Sequence, residues 1–400
     1  MNNMRIVRIR DVADVKGGKR LPKGKQLITE PNSHPYIRIR DLGKQKILEL
    51  NPEFEFVDDE TQQSIARYIV NKDDILISVV GTIGLVGIVG ESLDKANQTE
   101  NCDKITNLRG VDKDYLYYFL TSSKGQYEIS KATVGAVQPK LPLKNIQDLE
   151  FPLPTIETQV KISSILNKID EKIRLNQMVN NNLLQQLDSI YKELYPYQPS
   201  DSLPKGWQCV SLGSLCDSIS IKHSFDKEEL IFLNTGDVED GCFLHDNYSL
   251  VKEMPGQAKK SIMLGDILYS EIRPINRHFA FVNFAADDYV VSTKLMVIRS
   301  RGIASRRLYH FLTTQDVIDE LQLEAESRSG TFPQIRFENV QRLPIIIAPP
   351  EIETKFAGIL ELYYRTIDSN IKENKNLIAV RDSLLPRIMS GELDVSNIDI

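Results

Sequence analysis

The fold of this chain is decided by residues 155–194, which read TIETQVKISSILNKIDEKIRLNQMVNNNLLQQLDSIYKEL. Apolar residues recur here at alternating steps of four and three, which is the heptad spacing of a coiled coil rather than that of an ordinary amphipathic helix. The seam consists of Ile162, Leu166, Ile169, Ile173, Asn176, Asn180, Leu183, Leu187, Ile190 and Leu194. The pattern predicts one long helix whose apolar seam is interrupted by two asparagines.

The same seam occurs a second time, 194 positions further along the chain. Its members are Phe356, Leu360, Tyr363, Ile367, Asn370, Asn374, Leu377, Arg381, Leu384 and Ile388. We predict that the two helices pair antiparallel, with paired residue numbers that sum to 550, so that Asn176 faces Asn374 and Asn180 faces Asn370. Such amide pairs fix the register of a coiled coil at some cost in stability. The alternative is two independent surface helices with exposed asparagines.

The globular segments are duplicated as well. DDILIS at 73–78 corresponds to GDILYS at 265–270, and KDYLYYFLTS at 113–122 corresponds to SRRLYHFLTT at 305–314. The first member of each pair predicts a buried strand over 74–80 and a helix over 112–121. NIQDLEFPLP then precedes the first seam helix, as NVQRLPIIIA precedes the second, whereas residues 222–260 do not resemble 16–66. This is a duplicated module with divergent loops.

We predict an α+β fold with an internal pseudo-twofold repeat, in which two similar globular domains are separated by two long antiparallel helices that form a coiled coil. The boundaries follow from the repeat and from the proline-rich connector that ends the first helix. They place a first globular domain at 1–150, a spacer helix at 151–196, a second globular domain at 197–345, and a second spacer helix with a tail at 346–400.

Composition limits the functional class. Hydrophobic residues make up 41 % of the 400-residue chain, which contains no run of 18 apolar residues and no apolar N-terminal segment, so we expect a cytoplasmic protein. The four cysteines form no disulfide framework. The spacing of Cys209 and Cys216 with Cys242 and His245 is wider than structural zinc sites use, so we expect no metal.

The net charge of −6 is distributed unevenly. Residues 1–46 carry 12 Lys and Arg against 4 Asp and Glu, whereas 47–150 carry 10 against 17. Such segregation is typical of one phosphate-facing surface. Two heads with divergent loops, held at a set distance, would suit two separated stretches of duplex DNA.

In each half, a loop with glycine and glutamine precedes the seam helix: TVGAVQP at 133–139, and SGTFPQ at 329–334. Gly permits close approach to DNA, and Gln can bond N6 and N7 of adenine, while Arg reads guanine and either cation holds phosphate. The alternative is a turn whose Gln caps the following segment. The candidate DNA-binding residues are Lys19, Arg20, Lys23, Arg38, Arg40 and Gln138 in the first head, and Arg273, Arg277, Arg328 and Gln334 in the second.

Candidate catalytic motifs are weak. GTIGLVG at 81–87 leads into a predicted strand, so the helix N-terminus that a dinucleotide-binding loop needs is missing. NPEF at 51–54 looks like the NPPF-type motif of adenine-N6 methyltransferases, but Glu53 stands where the second proline is required. We expect no catalytic residue in this chain, and His310 is expected to be partly buried.

Four motifs carry a resemblance to a known family. They are LPKGW at 203–207, FPLPTIETQ at 151–159, APPEIETK at 348–355 and SLLPRIMSGEL at 383–393. Together with the duplication, they resemble the specificity subunit of type I restriction-modification enzymes over nearly the whole chain. The sequence departs from the family at Thr158 and Ile352, where Glu is usual, and at Glu353, where Gln is usual.

The resemblance implies a non-catalytic subunit. Each globular part would be a target recognition domain that reads one half of a bipartite, asymmetric DNA site, and the paired helices would act as a ruler between the halves. The implied partners are two modification subunits, which bind S-adenosylmethionine and methylate adenine, and motor-nuclease subunits that use ATP and Mg. No cofactor is expected in this chain. The alternatives are a stand-alone two-headed DNA-binding regulator and an autonomous DNA adenine methyltransferase.

Overall fold

The computed structural model describes residues 5–43, 45–327, 333–393 and 395. The chain divides into two compact units, of which the first comprises Met1–Leu175 with Glu373–Ile400 and the second comprises Asn176–Lys372. Each unit therefore combines one globular part with one half of each long helix. The mixture of helices and sheets agrees with the predicted α+β class.

The two predicted seam segments are long helices, Ile156–Leu194 and Pro350–Met389. Every seam position is buried or half-buried, as a coiled-coil seam requires. In the first unit, the Arg381 guanidinium contacts the Asp170 carboxylate at 2.9 Å. In the second unit, the Asn370 amide donates to Oδ1 of Asn180 at 2.8 Å. Both contacts confirm the antiparallel pairing, and the second pair, whose numbers sum to 550, agrees with the predicted register in the second unit.

The second predicted asparagine pair, Asn176 with Asn374, stays a prediction because the two residues belong to different units. Within the first unit, the Asn374 amide lies 3.5 Å from the carbonyl oxygen of Ile173. A hydrogen bond across the seam to a backbone carbonyl helps to satisfy this buried amide.

The first globular part contains two sheets and a separate strand pair. The five-stranded sheet consists, in spatial order, of Asp14–Gly17, Cys102–Thr106, Ile75–Ser78, Val86–Val89 and Ile47–Leu48. The three-stranded sheet consists of Glu55–Phe56, Pro35–Ile37 and Asn97–Gln98, and the separate pair of Arg5–Arg8 and Glu150–Leu153. The helices are Ile9–Val12, Asp59–Ile65, Lys113–Thr121, Ser123–Ala132 and Leu143–Gln147.

The second globular part repeats this plan. Its main sheet consists of Cys216–Ile219, Leu295–Ser300, Ile267–Ser270 and Phe279–Phe281, and its second sheet of Ser249–Leu250, Glu229–Leu233, Tyr289–Ser292 and Ala258–Ser261. The strand pairs are Gln208–Ser211 with Pro344–Ile347, and Val238–Glu239 with Cys242–Phe243. The helices are Ser305–Leu312, Gln315–Glu326 and Phe337–Val340.

Corresponding elements confirm the duplication. The predicted strand over 74–80 is Ile75–Ser78, and its counterpart is Ile267–Ser270. The predicted helix over 112–121 is Lys113–Thr121, which starts after Asp112 because the carboxylate of that residue accepts a hydrogen bond from the backbone N–H of Tyr115. Its counterpart is Ser305–Leu312. The repeat also includes the second sheet, although its sequences do not resemble each other.

Each globular part is fixed to its helices by different chemistry at the same place. In the first unit, Tyr118 donates to Asp170 at 2.6 Å, and Asp170 also pairs with Arg381. In the second unit, Arg306 pairs with Asp368, and its guanidinium lies 4.7 Å from the centre of the Tyr364 ring. Arg306 lies on the globular part of the second unit, whereas in the first unit Arg381 lies on a seam helix and Lys46 of the globular part contacts Asn167 of the other.

Candidate nucleic-acid interface

Three segments of the first unit meet at one end of the five-stranded sheet. Gly17 pairs with Asp103, and Asp103 pairs with Ile77, so the strands end in register. The segment after Gly17, the segment after Ser78 and the segment before Cys102 therefore lie side by side. The backbone N–H of Val79 donates to the carbonyl of Asn101 at 2.8 Å, which joins the last two. We call this end of the sheet the rim of the first unit.

Lys19 and Arg20 lie on this rim because Gly18 packs tightly against the neighbouring segment. A Cβ at position 18 would lie 2.0 Å from the carbonyl oxygen of Thr99, so only glycine fits. Lys19 then donates its N–H to Gln98, and the Arg20 guanidinium contacts the Glu100 carboxylate at 2.7 Å. The structure therefore brings these two predicted cations together but pairs one of them with an acid.

Arg38 and Arg40 reach the same rim. The backbone N–H of Thr99 donates to the carbonyl of Ile37 at 3.1 Å, so the turn that carries both arginines follows immediately beside the rim. Both guanidinium groups contact the carboxylate of Glu55, Arg40 at 2.9 Å. Nε of Arg40 also lies 3.7 Å from the Asp41 carboxylate, so two acids compensate the charge of the two arginines before any ligand arrives.

Lys23 is exposed, and no side-chain partner is found for it in the described part of the chain.

The rim also contains a carboxyl group, that of Asp103, for which the described residues offer no basic partner. Asp103 is 6 % exposed, and burial raises its pKa to about 6.

Gln138 belongs to a loop formed by residues 134–140, which we call the 134–140 loop. Val134 and Lys140 exchange two backbone hydrogen bonds of 2.8 Å, and Lys140 also pairs with Val80 on the rim. Gly135 has a φ of +94°, which favours glycine. Gln138 is exposed, and its amide finds no hydrogen-bond partner among the described residues. The helix Leu143–Gln147 begins without a side-chain cap, so Gln138 does not act as the cap that the alternative interpretation required.

The corresponding rim of the second unit is built in the same way. The N–H of Glu271 donates to the carbonyl of Lys294 at 3.0 Å, and Ile272 pairs with Gln334. Gln334 therefore stands where Lys140 stands in the first unit, and not where Gln138 does. Its Oε1 lies 3.4 Å from Nζ of Lys294. Both predicted glutamines lie on the rim of their unit, but they do not occupy equivalent positions.

Arg273 and Arg277 follow the strand Ile267–Ser270 in left-handed backbone, and the Arg277 side chain lines a cavity with Asp188 and Asp368 of the long helices, away from a rim position. Their φ values are +44° and +56°, which are uncommon for residues other than glycine. Arg277 pairs with Asp240 at 2.9 Å and also donates to Gln315. Arg273 is exposed, and the described residues offer its guanidinium no acceptor. The fourth predicted residue of this head, Arg328, lies outside the described residues.

Three lysines of the two rims were missed by the sequence reasoning. Lys140 is exposed on the first rim, and its ammonium has no partner within the described residues. Lys294 and Lys260 lie on the second rim, where Nζ of Lys260 donates to the carbonyls of Thr293 and Leu295. Burial lowers the pKa of Lys260. In the sequence, only the position of Lys140 two residues after Gln138 could have indicated that it belongs to the candidate DNA-binding residues.

The other candidate motifs are structural. GTIGLVG joins the strand Ile75–Ser78 to the strand Val86–Val89 and no helix follows directly. The Asn51 side chain accepts a hydrogen bond from the N–H of Glu53, which makes NPEF a turn. His310 is 3 % exposed and burial lowers its pKa to about 3. Across the described ranges, no group of three His, Cys, Asp or Glu residues has the geometry of a metal site.

A search of the described helices for a segment long and apolar enough to cross a membrane found none. Comparison with known proteins is more informative. The profile of the family described as Type I restriction modification DNA specificity domain matches residues 1–185 and 204–379. These two ranges correspond to the two halves of the repeat.

Two curated relatives differ in how much of them is matched. The type I restriction enzyme HindI specificity subunit of Haemophilus influenzae is 41 % identical over 181 residues, which is 44 % of this chain and 39 % of that protein. The type I restriction enzyme MjaIX specificity subunit of Methanocaldococcus jannaschii is 22 % identical over 415 residues, which covers 98 % of this chain and 94 % of that protein.

A solved structure matches over the same extent. The S subunit of the type I restriction-modification system from M. genitalium superposes with a TM-score of 0.55 and 17 % identity, over 97 % of both chains. At this identity the likeness concerns the fold alone.

Proposed function

Because the chain belongs to the type I restriction-modification DNA specificity family, we propose that it is the DNA-recognition subunit of such a system and reads a bipartite, asymmetric site in duplex DNA. The observation that carries the proposal is the duplicated rim. In each unit, one end of the main sheet gathers cations and a glutamine from segments that are distant in sequence. Cations serve phosphate contacts and the amide serves base contacts.

The divergence of the loops on a common scaffold supports two different half-sites. Lys140 and Gln334 occupy equivalent positions, and they offer a DNA base pair different chemistry: the ammonium only donates, whereas the amide donates and accepts. Two rims that differ at matched positions would read different sequences. The site as a whole would then be asymmetric.

We propose that this chain works without catalytic residues of its own and recruits two modification subunits and, for cleavage, motor-nuclease subunits. S-adenosylmethionine, ATP and Mg would belong to those partners. The family to which the chain belongs and the names of its relatives support a role inside a larger enzyme. Since the proposed target is chromosomal DNA, we place this activity in the cytoplasm of its host.

Methylome sequencing tests the proposal directly. The full chain is expressed with its cognate modification subunit in a host that lacks other adenine methylation, and methylated adenines are mapped. We expect one motif with two defined parts and a gap of fixed length, which disappears when this chain is omitted. Methylation that persists without the chain would overturn the proposal, and so would saturable S-adenosylmethionine binding with methyl transfer by the purified chain alone, which would indicate an autonomous methyltransferase.

A further inference from the structure

The tip of the 134–140 loop carries a valine that the fold does not use. Val137 is 93 % exposed, the largest value among the exposed large hydrophobic residues of the described chain, where Leu323 follows with 69 %. Scattered exposed apolar residues are ordinary on protein surfaces. A nearly complete exposure at the end of a firmly held loop is more specific, because burial of this side chain in a complex would recover apolar area that folding leaves in water.

The loop holds Val137 in place by its backbone. The two bonds between Val134 and Lys140 close its base, and the N–H of Leu141 donates to Val79 on the sheet at 3.0 Å. A Cβ at Gly135 would lie 2.9 Å from the carbonyl oxygen of Gln138, so the turn is tight as well as closed. Val137 is therefore presented on a scaffold that loses little conformational freedom when a ligand binds.

The neighbours of Val137 indicate what it meets. Gln138 and Lys140, one and three residues further along the same loop, carry an exposed amide and an exposed ammonium that have no partners among the described residues. A protein partner would call for a larger apolar patch with a polar border. One apolar group next to an amide, with a cation in the same loop, matches the major groove at an A·T pair, where adenine N6 and N7 lie beside the thymine 5-methyl group and a phosphate follows.

We propose that Val137 packs against the 5-methyl group of a thymine in the half-site that the first unit reads. Gln138 then bonds the adenine of that pair or of an adjacent pair, and Lys140 holds a phosphate. The inference rests on the proposed function and adds to it an apolar base contact that no candidate residue of the sequence had supplied.

The test removes the 5-methyl group of thymine from the DNA and, separately, the side-chain methyl groups of Val137 from the protein. The full chain in complex with its cognate modification subunit is titrated with duplexes in which each thymine of the first half-site is replaced, one at a time, by deoxyuridine. Loss of one buried methyl group corresponds to about a fourfold weaker Kd. We expect this loss at one position with the wild-type chain. Val137→Ala should bind the thymine duplex more weakly and should not distinguish it from the uracil duplex.

Val134→Ala is the matched control, because it removes the same atoms from the base of the same loop, where the side chain is 50 % exposed. It should keep the discrimination between thymine and uracil. Thermal melting confirms that both variants fold. A half-site without thymine, equal binding of every uracil duplex, or discrimination that survives Val137→Ala would each overturn the inference and leave the bipartite site standing. Absence of any sequence-specific site would overturn both proposals.

Discussion

The side-chain amide of Asn370 donates a hydrogen bond of 2.8 Å to Oδ1 of Asn180 across the helix pair of the second unit. Neither residue carries charge, and both lie half-buried on the apolar seam. A shift of one heptad would place each amide against an apolar side chain, where its lost hydrogen bond would cost about 1–3 kcal/mol. The pair therefore selects the register that the apolar residues alone would leave open.

The first prediction concerns this pair. Asn180→Leu alone should lower the free energy of unfolding by about 1–2 kcal/mol, because it leaves the Asn370 amide without its partner in the seam. Asn180→Leu with Asn370→Leu should recover most of that loss, since no orphaned amide remains. Thermal and urea unfolding of the four proteins of the cycle measure the coupling. Additive effects would show that the two amides do not depend on each other.

The second prediction concerns base reading. Gln138→Ala should relax one position of the half-site read by the first unit, at a cost of about 1–3 kcal/mol in discrimination, because the exposed amide has no structural task in the described chain. Gln334→Ala should relax only the other half-site. Methylome sequencing of cells that carry each variant provides the measurement. If every position stays as stringent as in the wild type, these residues do not read bases.

The third prediction separates free cations from compensated ones. Lys140→Ala should weaken binding to all sequences alike and reduce the slope of log K against log salt by about one, as expected for a lost phosphate contact. Arg40→Ala should reduce the slope less, because Glu55 already compensates that charge. Lys72→Ala is the control: it removes the same charge at the opposite end of the sheet, where Lys72 pairs with Glu91. An equal change in all three variants would show that net charge alone determines binding.

The fourth prediction is a pH dependence of stability. Burial raises the pKa of Asp103 to about 6, above its ordinary value of 3.8, so the folded protein binds this proton more tightly than the unfolded chain does. Below about pH 4 the group is neutral in both states and costs nothing, whereas between about pH 4 and pH 6 the unfolded chain ionises and the folded protein does not, so stability falls over this range and the loss is complete above pH 6. Asp103→Asn should therefore be more stable than the wild type by about 3 kcal/mol at pH 8, and the advantage should vanish near pH 4. An advantage of the same size at both values would exclude the charge as its cause.

Long-range periodicity explains why the helices could be predicted from the sequence. The heptad spacing from Ile162 to Leu194 defines one face of a helix, and its repetition 194 residues later supplies the partner. The register then follows from the asparagines, and the contact between Asn180 and Asn370 agrees with it.

The details of the rims could not be predicted in the same way, because they depend on which loops the sheet brings together. Glu55 lies 15 residues after Arg40 and Glu100 lies 80 residues after Arg20, and nothing in the spacing indicated that these acids would pair with the arginines. The two glutamine loops look alike in sequence, but pairing with Val80 and Ile272 aligns Gln334 with Lys140. Backbone pairing, which has no local sequence signal here, decided the register of the loops.

The last prediction tests whether the helix pair measures the distance between the half-sites. Deleting residues 180–183 from the first helix and 367–370 from the second removes four residues from each helix at facing positions, including the Asn180 and Asn370 pair as a unit. The remaining residues keep their partners at the same level along the axis, because the paired numbers of the deleted residues also sum to 550. Each helix loses about 6 Å of length and about 40° of rotation. We expect both half-sites to persist in the methylome while the gap between them shortens by about two base pairs, at 3.4 Å per base pair.

Deletion of 180–183 alone is the matched comparison: it displaces one seam against the other by four residues and should destabilise the protein strongly. If the double deletion is folded and methylates the original spacing with undiminished efficiency, the helices do not set the gap, and the distance between the two readers must be fixed by the partner subunits instead.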